Sequence, residues 1–316
     1  MLQPHMLLGV VLLIAGIALV LWGAERFTDG AIRTALRFSL SPFYVGAIVS
    51  GFEPENLVTG GAAALGGLPQ VALGTVIGAA IFMLTAGLGL ALLIVPMEVN
   101  IPRAGGLAML LCPVPFALTL WTGGAVSRPE GAILVAVALG LMAWLYRRSP
   151  AFLHAMPAEE LSTLPSWSRA IGCLVLGLVV IVVGAELLVQ GAKMVLSTFP
   201  ISEVFLGMTV VALGESLEET ARMAAPARRG HPELAWGNVV GTTIILLALN
   251  LGVIALIRPL AADPLVLRFH APYLLGCTLL VAVALLWVNR LGRAMGAFLV
   301  GLYLLYLAVN LRDLTP

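Results

Sequence analysis

Charge is scarce in this chain of 316 residues: 10% are Asp, Glu, Lys or Arg, 60% are hydrophobic, and the mean hydropathy is +1.05. That balance excludes a soluble globular domain and fits a protein whose surface faces lipid. Cysteine is rare as well. Cys112, Cys173 and Cys277 all fall inside apolar runs, so no disulfide framework is expected. The four histidines, His5, His154, His231 and His270, occupy predicted loops or ends without metal-site spacing. No HExxH occurs, and no Ser, His and acid set lies within an apolar run, which leaves an intramembrane hydrolase without support. A net charge of +1 with no basic tract gives no sign of a nucleic-acid partner. No segment reads as a soluble domain, so neither a soluble protein partner nor a cofactor is expected.

What the chain has is length in apolar runs. About 20 such residues cross the roughly 30 Å of bilayer hydrocarbon. Ten candidate spans follow, at 6–24, 43–66, 71–95, 104–121, 131–146, 170–189, 204–223, 236–257, 271–288 and 294–309. The first lacks a basic leader region and is echoed by the sixth, so it reads as a retained helix. With the N-terminus outside, twelve of the 17 Lys and Arg residues fall in cytoplasmic loops. Only Arg128, Lys193, Arg258, Arg268 and Arg312 fall on the other side. This bias predicts a multi-pass protein of the cell membrane with both termini on the non-cytoplasmic side.

The sequence also repeats itself. GAERFTDGA at Gly23 to Ala31 recurs as GAELLVQGA at Gly184 to Ala192. At the same offset Ser41, Gly46 and Val49 match Ser202, Gly207 and Val210, and slightly later Gly74 and Gly78 match Gly237 and Gly241. Five spans per half is an odd number, so the second half enters the membrane from the opposite side. The expected fold is all-α: ten transmembrane helices in two inverted five-helix repeats, 1–146 and 170–316. The polar stretch 147–169, with Pro150, Pro157, Pro165, Glu159 and Glu160, serves as a cytoplasmic linker.

Carboxylates inside apolar sequence are costly and mark ion or proton paths. They cluster in GFEPENL from Gly51 and GESLEE from Gly214. Pro54 must break the second span, because proline removes one helical hydrogen bond and clashes with the preceding turn. In the seventh span no proline stands at the equivalent place, so Gly214 is expected to supply any irregularity. On a continuous helix Glu215, Glu218 and Glu219 would share one face. Hard cations such as Ca²⁺ take about six to eight oxygen ligands. Glu53, Glu55, Glu215, Glu218 and Glu219 supply carboxylates, while Ser50, Asn56, Thr59, Thr75, Ser216, Asn238, Thr242 and Thr243 are the neutral donors of oxygen within reach. The same acids can carry protons when no metal is bound.

In these features the chain resembles the sodium/calcium exchanger superfamily of cation antiporters, as a divergent member. The likeness rests on the GA-acid-x4-GA signature after the first span of each half and on GMTVVALGESLEE and GNVVGTT in the second. The resemblance implies that Glu55 and Glu219 coordinate the metal, with Ser216 a hydroxyl ligand and Thr242 standing for a family serine. It also implies alternating access, with Ca²⁺ or a similar cation exchanged for H⁺ or Na⁺. Departures are several: Ala79, Met83 and Leu246 occupy family ligand places, Glu215 replaces a threonine and Glu218 a proline. A carboxylate-rich site exchanging a cation for protons fits this set better than a site for several sodium ions.

Two plainer readings stand beside this one. The acids could be structural, paired with Arg222, Arg228 or Arg229 near a helix end, and Glu25 and Glu186 fit capping or packing at span ends. A family member with a degenerate ion site, acting as a scaffold or sensor without transport, is the alternative function.

Overall fold

The computed structural model describes residues 4–35, 47–48, 53–148, 167–216 and 219–311. Arg37, Ser41, Gly46, Val49, Ser50, His154, Glu218, Arg312 and the polar linker, with Pro150, Pro157, Glu159, Glu160 and Pro165, lie outside these residues. The chain is all-α. Among the described residues eight helices are long and apolar enough to cross a membrane. They are α1 (Pro4–Ala35), α3 (Pro69–Ile94), α4 (Arg103–Gly123), α5 (Arg128–Arg148), α6 (Trp167–Thr198), α9 (Pro232–Ile257), α10 (Val266–Trp287) and α11 (Arg293–Asn310). Two shorter units complete the ten segments: α2 (Pro54–Gly66), and the pair α7 (203–216) and α8 (Glu219–Arg228). At 13 residues α2 is only about 20 Å long, too short to span hydrocarbon alone.

The broken segments behave unequally against expectation. In the first half the break falls where proline demands it: Glu53 is non-helical (φ −111°, ψ 70°) and the helix starts at Pro54, whose missing N–H is no loss at a first helical position. In the second half Gly214 is not the irregular residue. It is helical and buried, and a Cβ there would strike Ile17 of α1, so its role is close packing. Among the described residues of this segment, the departure from α-helix is a π-helical stretch at Leu206–Val211.

α3 and α9 are apolar all round and sit at the centre, with 83% and 78% of their spanning residues buried, against 22–33% for α1, α5, α6 and α11. Each carries a π-helical stretch at an equivalent place, Met83–Gly87 and Ile245–Asn250. Such wide turns often accompany functional sites.

α1 and α6, each 32 residues, run well past the lengths predicted from hydropathy and lie along one another. Gly9, Gly16, Gly23 and Gly30 recur every seven residues on α1; the first three meet Gly191, Gly184 and Gly177 of α6 backbone to backbone, and Gly30 meets the backbone of Ala170. That seven-residue period keeps one stripe on the partner. The glycines of the repeated signature are therefore helix contacts, and Glu25 and Glu186 between them are exposed.

Two short ribbons join the remaining helices. β1 (Met97–Glu98) after α3 pairs antiparallel with β4 (Arg290–Leu291) after α10, and β2 (Ala125–Val126) after α4 pairs with β3 (Leu260–Ala261) after α9. Exchanging the halves turns one ribbon into the other, as an in-plane two-fold relation between inverted repeats requires.

The α2–α3 and α9–α10 turns are tied by polar contacts. Arg258 donates to the carbonyls of Ala64 (3.0 Å) and Leu65 (3.3 Å) at the end of α2, and Gln70 donates to the Ala261 carbonyl (2.9 Å). The Glu203 carboxylate accepts from the backbone N–H groups of Gln70 (2.6 Å) and Val71 (3.2 Å), capping α3 from the start of α7. A carboxylate satisfying free N–H groups at a helix start is worth about 1–2 kcal/mol. Glu203→Ala is accordingly expected to lower thermal stability in detergent by that amount, and an unchanged melting temperature would show the cap to be idle.

Candidate functional site

Charged groups inside lipid persist only where they find one another, and here three carboxylates meet one guanidinium while a fourth carboxylate lies nearby. Glu53 and Glu55 sit at the start of α2, Glu215 near the end of α7, and Glu219 at the start of α8; each is at most 1% exposed. Helix starts favour negative side chains, so the two halves bring similar ends to one place. Arg222, one turn along α8, joins three of the acids. Its Nη1 donates to Glu53 Oε1 and to Glu219 Oε1, both at 3.0 Å, and its Nη2 to Glu55 Oε1 at 3.2 Å. The Arg222 side chain is itself only 10% exposed.

Amides complete two of these acids. Asn56 Nδ2 donates to Glu53 Oε2 (2.8 Å) and Asn238 Nδ2 to Glu219 Oε2 (2.9 Å). Thr242 adds a long contact to Glu53 Oε1 at 3.4 Å. The carbonyl of Glu53, freed by the break, accepts from Asn250 Nδ2 at 3.1 Å and from the N–H of Leu57 at 3.2 Å. Glu53 and Glu219 are thus fully partnered.

The others are not. Glu55 Oε2, both oxygens of Glu215, Thr59 Oγ1, Ser216 Oγ, and the amide oxygens of Asn56, Asn238 and Asn250 are buried without a hydrogen-bond donor. Thr59 lies beside the Glu215 carboxylate, but the two close no hydrogen bond of ordinary length. Buried polar atoms are almost always paired, so eight oxygen atoms on seven side chains without a partner call for one. These eight atoms on α2, α7 and α9 are all oxygens, and oxygens of this kind suit a hard cation. Among the described residues no three His, Cys, Asp or Glu side chains form a closed metal cage, since the acids are spread around a guanidinium. The arrangement suits a passing ion more than a resident metal.

Each side chain proposed from sequence has a place except Ser50 and Glu218, which lie outside the described residues. Glu55 and Glu219 do converge, through one guanidinium. Thr75 donates to the Ala72 carbonyl (2.9 Å) on its own helix with a longer contact to the Asn56 carbonyl of α2 (3.4 Å), and Thr243 donates to that of Val239 (2.8 Å). Arg228 and Arg229 are exposed, and the structural pairing anticipated for the acids is made by Arg222. Arg222, counted from sequence among the cytoplasmic arginines and also named as a possible partner of the acids, pairs with three of them. Asn250 was missed, hidden at the end of the apolar run ILLALN. His270, expected in a loop or at an end, is fully buried on α10, its Nδ1 2.9 Å from the hydroxyl of Tyr306 on α11.

The sodium/calcium exchanger protein family matches residues 8–147 and 169–312, nearly the whole chain. The chain belongs to that family. The inner membrane protein YrbG of Escherichia coli is 30% identical over 96% of this chain and 97% of its own length. The sodium/calcium exchanger MaX1 of Methanosarcina acetivorans is 30% identical over 45% of this chain and 41% of its own. Among solved structures, the sodium-calcium exchanger NCX_Mj soaked with Na⁺ and Sr²⁺ superposes with a TM-score of 0.70 at 27% identity, covering 96% of this chain and 98% of that one. This exchanger-family chain is therefore a polytopic membrane transporter and not an enzyme. Met83 and Leu246 fall in the two central π-helical stretches and are buried.

Proposed function

We propose that the chain is a secondary cation antiporter that exchanges Ca²⁺ or a similar divalent cation for H⁺ or Na⁺ by alternating access. The observation that carries this reading is the set of buried oxygens without donors between α2 and α7, on a chain of the exchanger family. Glu55 is its metal-binding acid, and Glu219, the other acid that the family resemblance assigns to the metal, holds Arg222 beside it. Glu53, Glu215, Ser216 and Thr242 line the same site, and Glu218 joins them on the sequence pattern. The two halves, 1–146 and 170–316, act as opposed units joined by the cytoplasmic linker 147–169, with both termini on the non-cytoplasmic side. Four carboxylates against one arginine leave acids free to trade a metal for protons, so one site serves both ions in turn. The kinship with the sodium/calcium exchanger MaX1 supports the substrate class, while the extra acids favour protons as the coupling ion.

One observation favours a second reading. Arg222 holds three acids at once, which would also suit a member that has ceased to transport and keeps the site as a structural clamp. Purified protein in liposomes decides between them. Radiolabelled Ca²⁺ uptake is expected under an imposed pH gradient at least as fast as under a Na⁺ gradient, and no flux under either would leave the clamp as the better account.

A further inference from the structure

The buried oxygens fall into two groups, and Arg222 divides them. On one side stand Glu53 and Glu219, whose four oxygens all have donors from Arg222, Asn56, Asn238 and Thr242. On the other stand Glu55 Oε2 and both oxygens of Glu215, with Thr59 beside Glu215 and the Ser216 hydroxyl next along α7, none of them with a hydrogen-bond partner. Glu55 and Thr59 are four residues apart on α2 and share a face, and Glu215 approaches that face from α7. A guanidinium keeps its charge at every physiological pH and, being tethered, cannot be exchanged.

Resting on the antiport reading above, we propose that Arg222 is a resident cation that permanently fills one ion place, and that the exchanged ion binds beside it on Glu55, Glu215, Thr59 and Ser216. A mobile monovalent ion then has nothing to neutralise at Glu53 and Glu219, because a fixed positive charge already sits 3.0 Å from each. The protein needs no Na⁺ to compensate that pair. Glu215 becomes the acid that decides cation binding, although it stands outside the guanidinium cluster. Selectivity follows from the same geometry: one divalent ion meets two carboxylates and two hydroxyls, a hard-oxygen set that suits Ca²⁺ or a similar ion and uses no nitrogen or sulfur ligand.

Thermal unfolding of the purified full chain in detergent, titrated with CaCl₂ or NaCl against choline chloride, tests this without relying on flux. Wild type is expected to show a saturable rise in melting temperature with Ca²⁺ of about 5 °C and none with Na⁺. Glu215→Gln should weaken the Ca²⁺ response at least about 10-fold in midpoint concentration, the loss of one charged ligand. Arg222→Gln should gain a saturable Na⁺ response, since three acids then lack their counter-charge. The double variant Arg222→Gln with Glu53→Gln restores the net charge and serves if the single variant unfolds. A Na⁺ response in wild type equal to that of Arg222→Gln, or a Glu215→Gln protein with the wild-type Ca²⁺ midpoint, overturns the proposal. Absence of liposome flux alongside these ion responses would instead sink the antiport reading and leave the resident cation standing.

Discussion

Glutamine in place of Glu55 is expected to abolish exchange, lowering Ca²⁺ uptake into liposomes by about 100-fold, the equivalent of 2–3 kcal/mol lost at one buried charged ligand. Glu55 is the acid with a foot in both groups: Oε1 accepts from Arg222 at 3.2 Å and Oε2 has no donor. The amide keeps the volume and presents one oxygen, but it removes the charge that a divalent ion needs and places an N–H₂ where an acceptor was. Glu219→Gln should act differently. Its two oxygens are already held by Arg222 and Asn238, so its loss breaks the clamp and should cost flux about 10-fold or more through misplacement of Arg222, in the range measured for removing one partner of a buried pair. Exposed Glu186→Gln is the control and should transport as wild type does. Full flux in Glu55→Gln would mean that ions cross by another path.

The second large effect is on assembly. A methyl group at Gly241 of α9 would collide with the backbone of Ala47, and one at Gly74 of α3 would collide with the backbone of Gly207. Neither neighbour is a flexible side-chain tip, so the clash cannot be relieved by a rotamer change. Each central helix therefore touches the segment containing a broken helix of the opposite half, main chain to main chain. Gly241→Ala and Gly74→Ala should each destabilise by about 3 kcal/mol or more, at the upper end for overpacking. In practice this should appear as loss of a monodisperse peak or a strongly lowered melting temperature. Gly140→Ala on α5, where nothing lies within 4 Å, should be silent. Equal behaviour of Gly241→Ala and Gly140→Ala would refute the contact.

Much of this architecture was legible because lipid imposes severe rules. Apolar length gave the spans, and the matching glycines gave the repeat. Pro54 gave the first break outright, since a residue without N–H can only begin a helix there. The second break was misread at Gly214, because glycine serves both irregular backbone and tight packing, and only the neighbouring Ile17 distinguishes the two. Local sequence also said little about Arg222. It is followed by Arg228 and Arg229, and three arginines after a run of acids read as a helix end emerging into water. What makes Arg222 central is two carboxylates 167 and 169 positions away in the chain, brought to it by the folding of one half against the other. Asn250 escaped for the same reason, its partner being the Glu53 carbonyl 197 positions earlier. His270 sits buried where a span boundary was drawn a residue too late, its ring held by an aromatic group from α11 that no local pattern announces.

The glycine seam between α1 and α6 has a mechanical outcome. With glycine meeting backbone at every second turn, neither helix can rotate or slip against the other without driving main chain into main chain. The two behave as a single stiff beam. Whatever tilts one end of that beam must carry the other end with it.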